Sequence, residues 1–240
     1  SILKLTKELE VSLLSPVTGE IWPEVKKLKS PKLVSMPKGL ENTKWLASEQ
    51  PVVRNLVLKC CDIAEQKEKT LNEIDAKIGD GDTGSTLANA GRSLRQVLDQ
   101  LPLKENAQFF LAISEILSRS MGGSSGVLMA MMFSAAANEA NAGANWKNAL
   151  QGGLQRVMEM GGAKPGDRTF IDSLAPALKQ LQNSSSLMEV AEAARLGADK
   201  TRDMTSARAG RAAYVPKENL IGVPDPGAEA VALIFEGIAS

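Results

Sequence analysis

The chain has 240 residues, 43% of them hydrophobic and 23% charged, which is apolar material enough for one large domain with an appendage and excludes a disordered or fibrous chain. Lys and Arg number 28 and Asp and Glu also 28, so no net charge draws the chain to nucleic acid or to an anionic membrane, and neither is expected as a partner. There is no histidine, which excludes Ser-His-Asp and Cys-His nucleophiles and any His-ligated zinc or haem centre.

Residues 1–45 differ from the rest. They carry eight Lys against five Glu, together with Pro16, Pro23, Pro31 and Pro37, whereas residues 46–240 hold 20 basic and 23 acidic residues. SILKL alternates like a strand, a short helix is expected from Lys7, and the stretch from Pro16 to Gly39 has the Pro and Lys content of a linker. A lone strand leaves its edges unpaired, so this piece is expected to belong to a sheet outside the chain. The start is salted with Lys and Glu unlike a signal peptide, and no run of about 18 apolar residues occurs. A soluble, cytoplasmic protein is the expectation.

From Ser48 onward the pattern is helix after helix. Ser48, with Pro51 just beyond it, predicts a capped start, and apolar Val52, Leu56, Cys60, Ile63 and Leu71 recur near a helical period. Cys60 and Cys61 are adjacent, poorly placed to bridge each other, and two thiols do not close a zinc site; this suits a reducing compartment. Further helices are predicted over 84–101, 105–118, 124–140, 145–160, 169–182, 186–204 and 226–239. Aromatics make up only 4%, and Ala, Leu and Met stand where strands would carry β-branched residues. The expected fold is all-α: an antiparallel up-and-down bundle or barrel of eight helices.

Four glycine-rich segments interrupt these helices: IDAKIGDGDTGST (74–86), SRSMGGSSG (118–126), MGGAKPGDRTFID (160–172) and ARAGRAAYVPKENLIGVPDPGA (207–228). In an up-and-down bundle whose turns alternate between ends, several of them gather at one end. The first spells GxGxxG, but NEIDAKI before it reads as a helix end, so the dinucleotide fingerprint lacks its strand. Asp75, Asp80 and Asp82 converge on this bend. At a separation of about 5 Å and an effective dielectric of about 20, each carboxylate pair repels by about 3 kcal/mol. Spacing alone leaves two readings open, a Mg²⁺ site for a nucleotide or an Asx turn and helix cap.

Thr83, Ser85 and Thr86 open the next helix, where free amides favour anions. In GGSSG, Gly122 and Gly123 permit close backbone approach and Ser124 and Ser125 offer donors; an ordinary turn is the plain alternative. Arg208 and Arg211 can neutralise phosphates with planar forks, although an exposed arginine is ordinarily just solvated. No GxxxxGK[ST] occurs. The methionines at 129, 131 and 132 and the three tryptophans read as packing residues.

IDAKIGDGDTGST, MGGSSG, PGDRTFIDSL, ARAGRAAY and PDPGA resemble, in order and spacing, the nucleotide-binding L domain of the dihydroxyacetone kinases, over about residues 46–240. The resemblance implies a barrel of eight antiparallel helices binding ATP or ADP at one end through Mg²⁺. By position, Asp75, Asp80 and Asp82 become metal ligands. Thr83, Ser85, Thr86, Gly123, Ser124 and Ser125 become contacts to phosphates or their metals. Gly162, Phe170, Arg208 and the turn around Asp225 border the nucleotide, with Arg208 also the candidate catalytic group. GDGDTG is similar to the ATP-dependent single-chain kinases, whereas the phosphotransferase-system branch, with ADP as fixed cofactor, usually has GDADHG; Phe170 stands where Met is more common. Residues 1–45 then resemble the tail and linker of the substrate-binding K domain. That domain holds its substrate through a histidine, absent from this chain, so activity is expected only with a K-domain partner, through which a homodimer is also implied. Competing expectations are a phosphotransferase-system subunit, an FAD-cleaving lyase forming cyclic FMN, and a non-catalytic helical scaffold.

Overall fold

In a computed structural model, residues 6–15, 45–184 and 186–240 are described. The predicted strand over 1–5 and the linker over 16–39 lie outside them. The chain divides into two units, Ser1–Thr43 and Lys44–Ser240. The first contains helix α1 (Lys7–Leu14), at the predicted place.

The second unit is all-helical. Helix α2 (Pro51–Gln66) is followed by α3 (Glu68–Asp75), α4 (Thr83–Val97), α5 (Asn106–Ser120), α6 (Gly123–Asn141), α7 (Trp146–Gly161), α8 (Ile171–Asn183), α9 (Leu187–Lys200), the single turn α10 (Lys217–Leu220) and α11 (Pro226–Ala239). The eight longer ones, α2, α4 to α9 and α11, correspond to the eight predicted. Each packs on the next, α2 on α4, then α5 to α9 in order, then α11, and α11 returns to pack on α2. The ring is a closed barrel. Connections such as Met121–Gly122 between α5 and α6 or 184–186 between α8 and α9 are too short to permit anything but antiparallel neighbours.

The two largest of several core regions sit on opposite parts of the helix order. Leu154 and Val157 of α7, Leu174 and Leu178 of α8, Val190 and Ala194 of α9 and Ala228 and Ala232 of α11 form one. Val57 and Cys61 of α2, Leu98, Leu101 and Leu103 after α4, and Ala112 and Ile116 of α5 form the other. Full burial stabilises each Leu or Val by about 1.5–3 kcal/mol, and Leu154→Ala forfeits that plus a cavity term. Small residues set the spacing along α9, where Ala191, Ala194, Gly197 and Ala198 are buried. Pro176 inside α8 has no N–H for the Asp172 carbonyl, and Gly197 approaches that same carbonyl so closely that a Cβ would lie 2.2 Å from it.

Three sequence expectations are corrected. Ser48 does not cap α2: Gln50 does, its side chain accepting from the Val52 N–H at 3.3 Å. Ser48 instead exchanges backbone hydrogen bonds with Leu101 (3.2 Å) and Leu103 (3.1 Å) and its hydroxyl accepts from the Lys104 N–H. The buried stripe of α2 runs through Val57, Cys61 and Ala64, one residue displaced from the predicted face, and Val52 is exposed. The single helical run expected from the Val52-to-Leu71 period breaks at Lys67, where φ −96° and ψ 4° turn the chain into α3.

Up-and-down order puts the 76–82, 121–122, 162–170 and 201–225 connections at the same end of the barrel. All four glycine-rich segments therefore meet there.

Candidate functional site

At that end, one carboxylate oxygen from each of Asp75, Asp80 and Asp82 lies within 4.8 Å of the others. Asp75 ends α3 and is buried; Asp80 and Asp82 are exposed. Asp75 Oδ2 accepts from the backbone N–H of Asp82 (2.9 Å) and of Thr83 (3.1 Å), so it caps α4 from the helix before. Asp82, although the N-cap residue, makes no side-chain capping bond, and its carboxylate remains available. Gly79 lets the turn fold onto Asp75: a Cβ there would stand 2.2 Å from Asp75 Oδ1. Both readings left open by the spacing therefore have a physical counterpart, capping by Asp75 and an exposed acidic pair in Asp80, which also meets Arg211, and Asp82. Three hard oxygen donors this close are the set that Mg²⁺ or Ca²⁺ takes.

Two helix N-termini open at this end of the barrel, and they are not equivalent. On α4 the Thr83 amide is used by Asp75, and the Ser85 amide donates to Asn72 Oδ1 at 3.0 Å. The Ser85 hydroxyl donates to Glu68 Oε1 at 2.9 Å and accepts from Asn72 Nδ2 at 2.9 Å. Thr83 and Thr86 hydroxyls are the donors left on this turn. On α6 the N-cap is Gly122, with no side-chain cap, and Gly123 adopts φ +67°. Gly123, Ser124 and Ser125 are exposed there, Ser125 making only a local bond to the Gly122 carbonyl at 3.2 Å. Of the two, α6 offers the anion-binding N-terminus with fewer prior commitments.

The 162–170 and 207–225 segments form the remaining wall. Gly162 closes α7 in the left-handed conformation, φ 72°. Asp172 accepts from the N–H groups of Gly166 (2.6 Å) and Thr169 (2.8 Å), and Asp167 from that of Lys164 (2.9 Å), so two buried carboxylates shape this loop. Arg208 donates its backbone N–H to the Asp167 carbonyl at 3.1 Å, and its exposed guanidinium stands 3.9 Å from the Asp167 carboxylate. It is Arg211, not Arg208, whose guanidinium pairs with Asp80. The pairing is held in register by Ala212, Leu220 and Ile78, a small apolar cluster joining the arginine segment to the acidic turn. Phe170 is half-buried and lies against the start of α11, where a Cβ on Gly227 would be 3.1 Å from its own.

Asp225 is buried beneath this wall rather than open to it. Its Oδ1 accepts from the Ala228 N–H at 2.8 Å, capping α11, and its own N–H donates to Thr201 Oγ1 at 2.8 Å. Burial pushes its carboxyl up to about 6, against the pull of the Ala228 N–H and of Arg168.

Arg168 is the residue that sequence reasoning missed. It is fully buried, has φ 62°, and its Nη2 donates to the Val223 carbonyl at 2.7 Å and the Leu220 carbonyl at 3.3 Å. Its Nε and Nη1 have no partner. Burial lowers its pKa, with Asp225 and Asp172 acting in the other direction. Nothing in PGDRT distinguishes such an arginine from a solvated one, because arginine in a Pro-Gly-Asp turn is ordinarily exposed. Asn72 and Glu68 were also missed; their position one and two turns before Asp75 on the same helix was the available signal.

Comparisons with known proteins identify the family and the fold. The family model of the DAK2 domain matches residues 77–240. Dihydroxyacetone kinase of Citrobacter freundii is 39% identical over 238 residues, covering 98% of this chain and 43% of that protein. The triokinase/FMN cyclase of Rattus norvegicus is 38% identical over 183 residues, 71% of this chain and 31% of the relative. The crystal structure of the C. freundii kinase in complex with AMP-PNP and Mg²⁺ superposes with a TM-score of 0.74 at 37% identity, covering 98% of this chain and 42% of that one. The chain thus spans less than half the length of the relatives it matches.

Proposed function

The chain belongs to the DAK2-domain family, the helical nucleotide-binding domain of dihydroxyacetone kinases, and on that premise we propose that it binds Mg²⁺-ATP and presents the γ-phosphate to a hydroxyl held by a separate K domain. The single observation that carries this reading is the convergence of Asp75, Asp80 and Asp82 within 4.8 Å at the end of the barrel where all the glycine-rich turns meet. The donor set fits Mg²⁺, which when bound supplies charge neutralisation for the phosphate oxygens.

The chain's own residues bind and orient. Asp80 and Asp82 provide the accessible carboxylates, while Asp75 fixes the turn that carries them. The α6 N-terminus with Gly123, Ser124 and Ser125, and the hydroxyls of Thr83 and Thr86, receive phosphate oxygens; Ser85 holds α4 against α3 through Asn72 and Glu68. Gly162, Phe170 and the turn over Asp225 border the nucleoside. Arg208 carries its charge on an exposed side chain whose nearest carboxylate partner is 3.9 Å away, so it can turn to the transferring group, where its positive charge favours developing negative charge. The acceptor hydroxyl and its base come from the K domain, to whose tail residues 1–45 are assigned in this proposal. The chain alone is then inactive.

Titration calorimetry with AMP-PNP tests the binding half. Mg²⁺-dependent heat is expected from the wild-type chain and none from Asp80→Asn or Asp82→Asn, with helicity by circular dichroism unchanged. A wild-type chain that binds nucleotide equally well in EDTA would discard the metal assignment. Mixing with a separately expressed K domain, ATP and dihydroxyacetone is expected to restore phosphorylation that neither protein performs alone.

A further inference from the structure

Arg168 sits where two structural costs coincide. It is fully buried with Nε and Nη1 unpartnered, and it adopts φ 62° without being glycine. A left-handed non-glycine residue and a buried unpaired donor are each unfavourable, and such features persist where the surroundings enforce them and cluster at functional sites. An apolar side chain would fill the space without the unpaired donors, and glycine would relieve the backbone.

Its bonds explain what the side chain accomplishes. Arg168 belongs to the loop between α7 and α8, and both of its hydrogen bonds go to backbone carbonyls of the other wall, Leu220 at the end of α10 and Val223 just before the Asp225 turn. On one side of it stand Gly162 and Phe170; on the other, the turn that caps α11 through Asp225. Phe170, two residues after Arg168, meets Gly227 of the capping turn. The acidic turn has attachments of its own to this wall: Ile78 packs in one apolar cluster with Ala212, Leu220 and Val223, and Arg211 pairs with Asp80.

We infer that Arg168 is a positioning residue that clamps the 162–170 loop to the 220–227 turn, and so sets the width of the part of the site that receives the nucleoside rather than the metal or the phosphates. This rests on the nucleotide reading above. The guanidinium touches no ligand; it acts through Phe170 on one side and the Asp225 turn on the other. Lysine keeps a cationic donor on a stem one bond shorter than that of Nη2, whereas methionine fills the volume and offers no donor.

The test separates nucleoside from phosphate. Affinities of the full chain for Mg²⁺-ADP and Mg²⁺-pyrophosphate are measured by calorimetry for wild type, Arg168→Lys and Arg168→Met, and Mn²⁺ binding is followed by electron paramagnetic resonance. Arg168→Met is expected to weaken Mg²⁺-ADP by about tenfold, equivalent to about 1.4 kcal/mol, with pyrophosphate and Mn²⁺ binding unchanged, and Arg168→Lys, which keeps a donor, to weaken it less than Arg168→Met. Equal losses for ADP and pyrophosphate, or ADP affinity unchanged in folded Arg168→Met, overturn the inference. Hydrogen exchange on the wild-type chain decides the matter if Arg168→Met does not fold: Mg²⁺-ADP should slow exchange in 162–170 and 220–227 together, and protection of one segment without the other overturns the clamp. A wild-type chain that binds no Mg²⁺-ADP sinks the reading of the site itself, whereas normal wild-type binding with the outcomes just named sinks the clamp alone.

Discussion

Asp225 shows how a carboxylate serves the fold and charges it a pH dependence at the same time. Capping α11 holds its side chain in the barrel wall, and burial raises its carboxyl from 3.8 to about 6. An acid whose folded pKa lies above its unfolded one binds its proton more tightly when folded. Its stabilising contribution is therefore complete below about pH 4 and is lost as the pH rises through about 6, by about 3 kcal/mol in total. Exposed Glu49 and half-buried Glu68, held low by Arg54 and by Ser85 with Arg92 respectively, act in the opposite direction. Asp225→Asn keeps a capping oxygen for the Ala228 N–H and removes the titration, so subtracting its curve cancels the other groups. Urea unfolding from pH 4 to 8 should show wild type losing stability relative to Asp225→Asn across pH 4–7; a flat difference would refute the assignment. At this scale the acidic trio was legible because three carboxylates in one glycine turn are spaced for it. Arg168 and the burial of Asp225 were not, since each depends on segments that meet only in the folded barrel.

The α3–α4 corner turns those carboxylates into a site. Breaking at Lys67 frees α3 to lie against the first turn of α4, where Asn72 and Glu68 grip Ser85. Gly84 makes that contact possible, since a Cβ would stand 2.0 Å from the Glu68 carbonyl and 2.8 Å from Asn72 Oδ1. A backbone carbonyl does not step aside as a flexible side chain does. Gly84→Ala is expected to cost about 1–3 kcal/mol, lowering the melting temperature by about 2–10 °C, and to weaken Mg²⁺-dependent nucleotide binding. Gly122→Ala, with nothing within 4 Å of its Cβ position, should melt as wild type does. Equal melting of the two variants would mean that the corner is not close-packed. The long helices were legible from their periodicity and their glycine boundaries. The corner was hidden because Gln66 and Lys67 carry no turn signal and the apolar period of α2 continues, one residue out of phase, toward α3.

Over the whole molecule, the order of the helices does what no single motif does. Seven of the eight longer helices pack on the next in sequence, and only the return of α11 to α2 closes the ring over a long sequence separation. Alternation alone collects the glycine-rich turns at one end, and this much followed from counting helices in the sequence. Closure did not, because no local pattern encodes which distant helix fills the gap. The opposite end is sealed by the segment before α2: Trp45 packs with the Val57, Leu98 and Leu101 cluster, and Ser48 makes three hydrogen bonds to residues 101–104. Residues 44–240 form a compact unit, so a fragment starting at Lys44 should melt within about 2 °C of the full chain and keep Mg²⁺-dependent nucleotide binding. A fragment starting at Pro51 loses the three bonds of Ser48, at about 1 kcal/mol each, and the Trp45 contact as well. Its melting temperature should fall by about 6–12 °C. The ligand end is built by other segments, so the affinity of the shorter fragment below its melting point should stay close to that of the longer one. Differential scanning calorimetry of both fragments checks the stability difference, and equal melting would show that residues 44–50 do not seal the barrel.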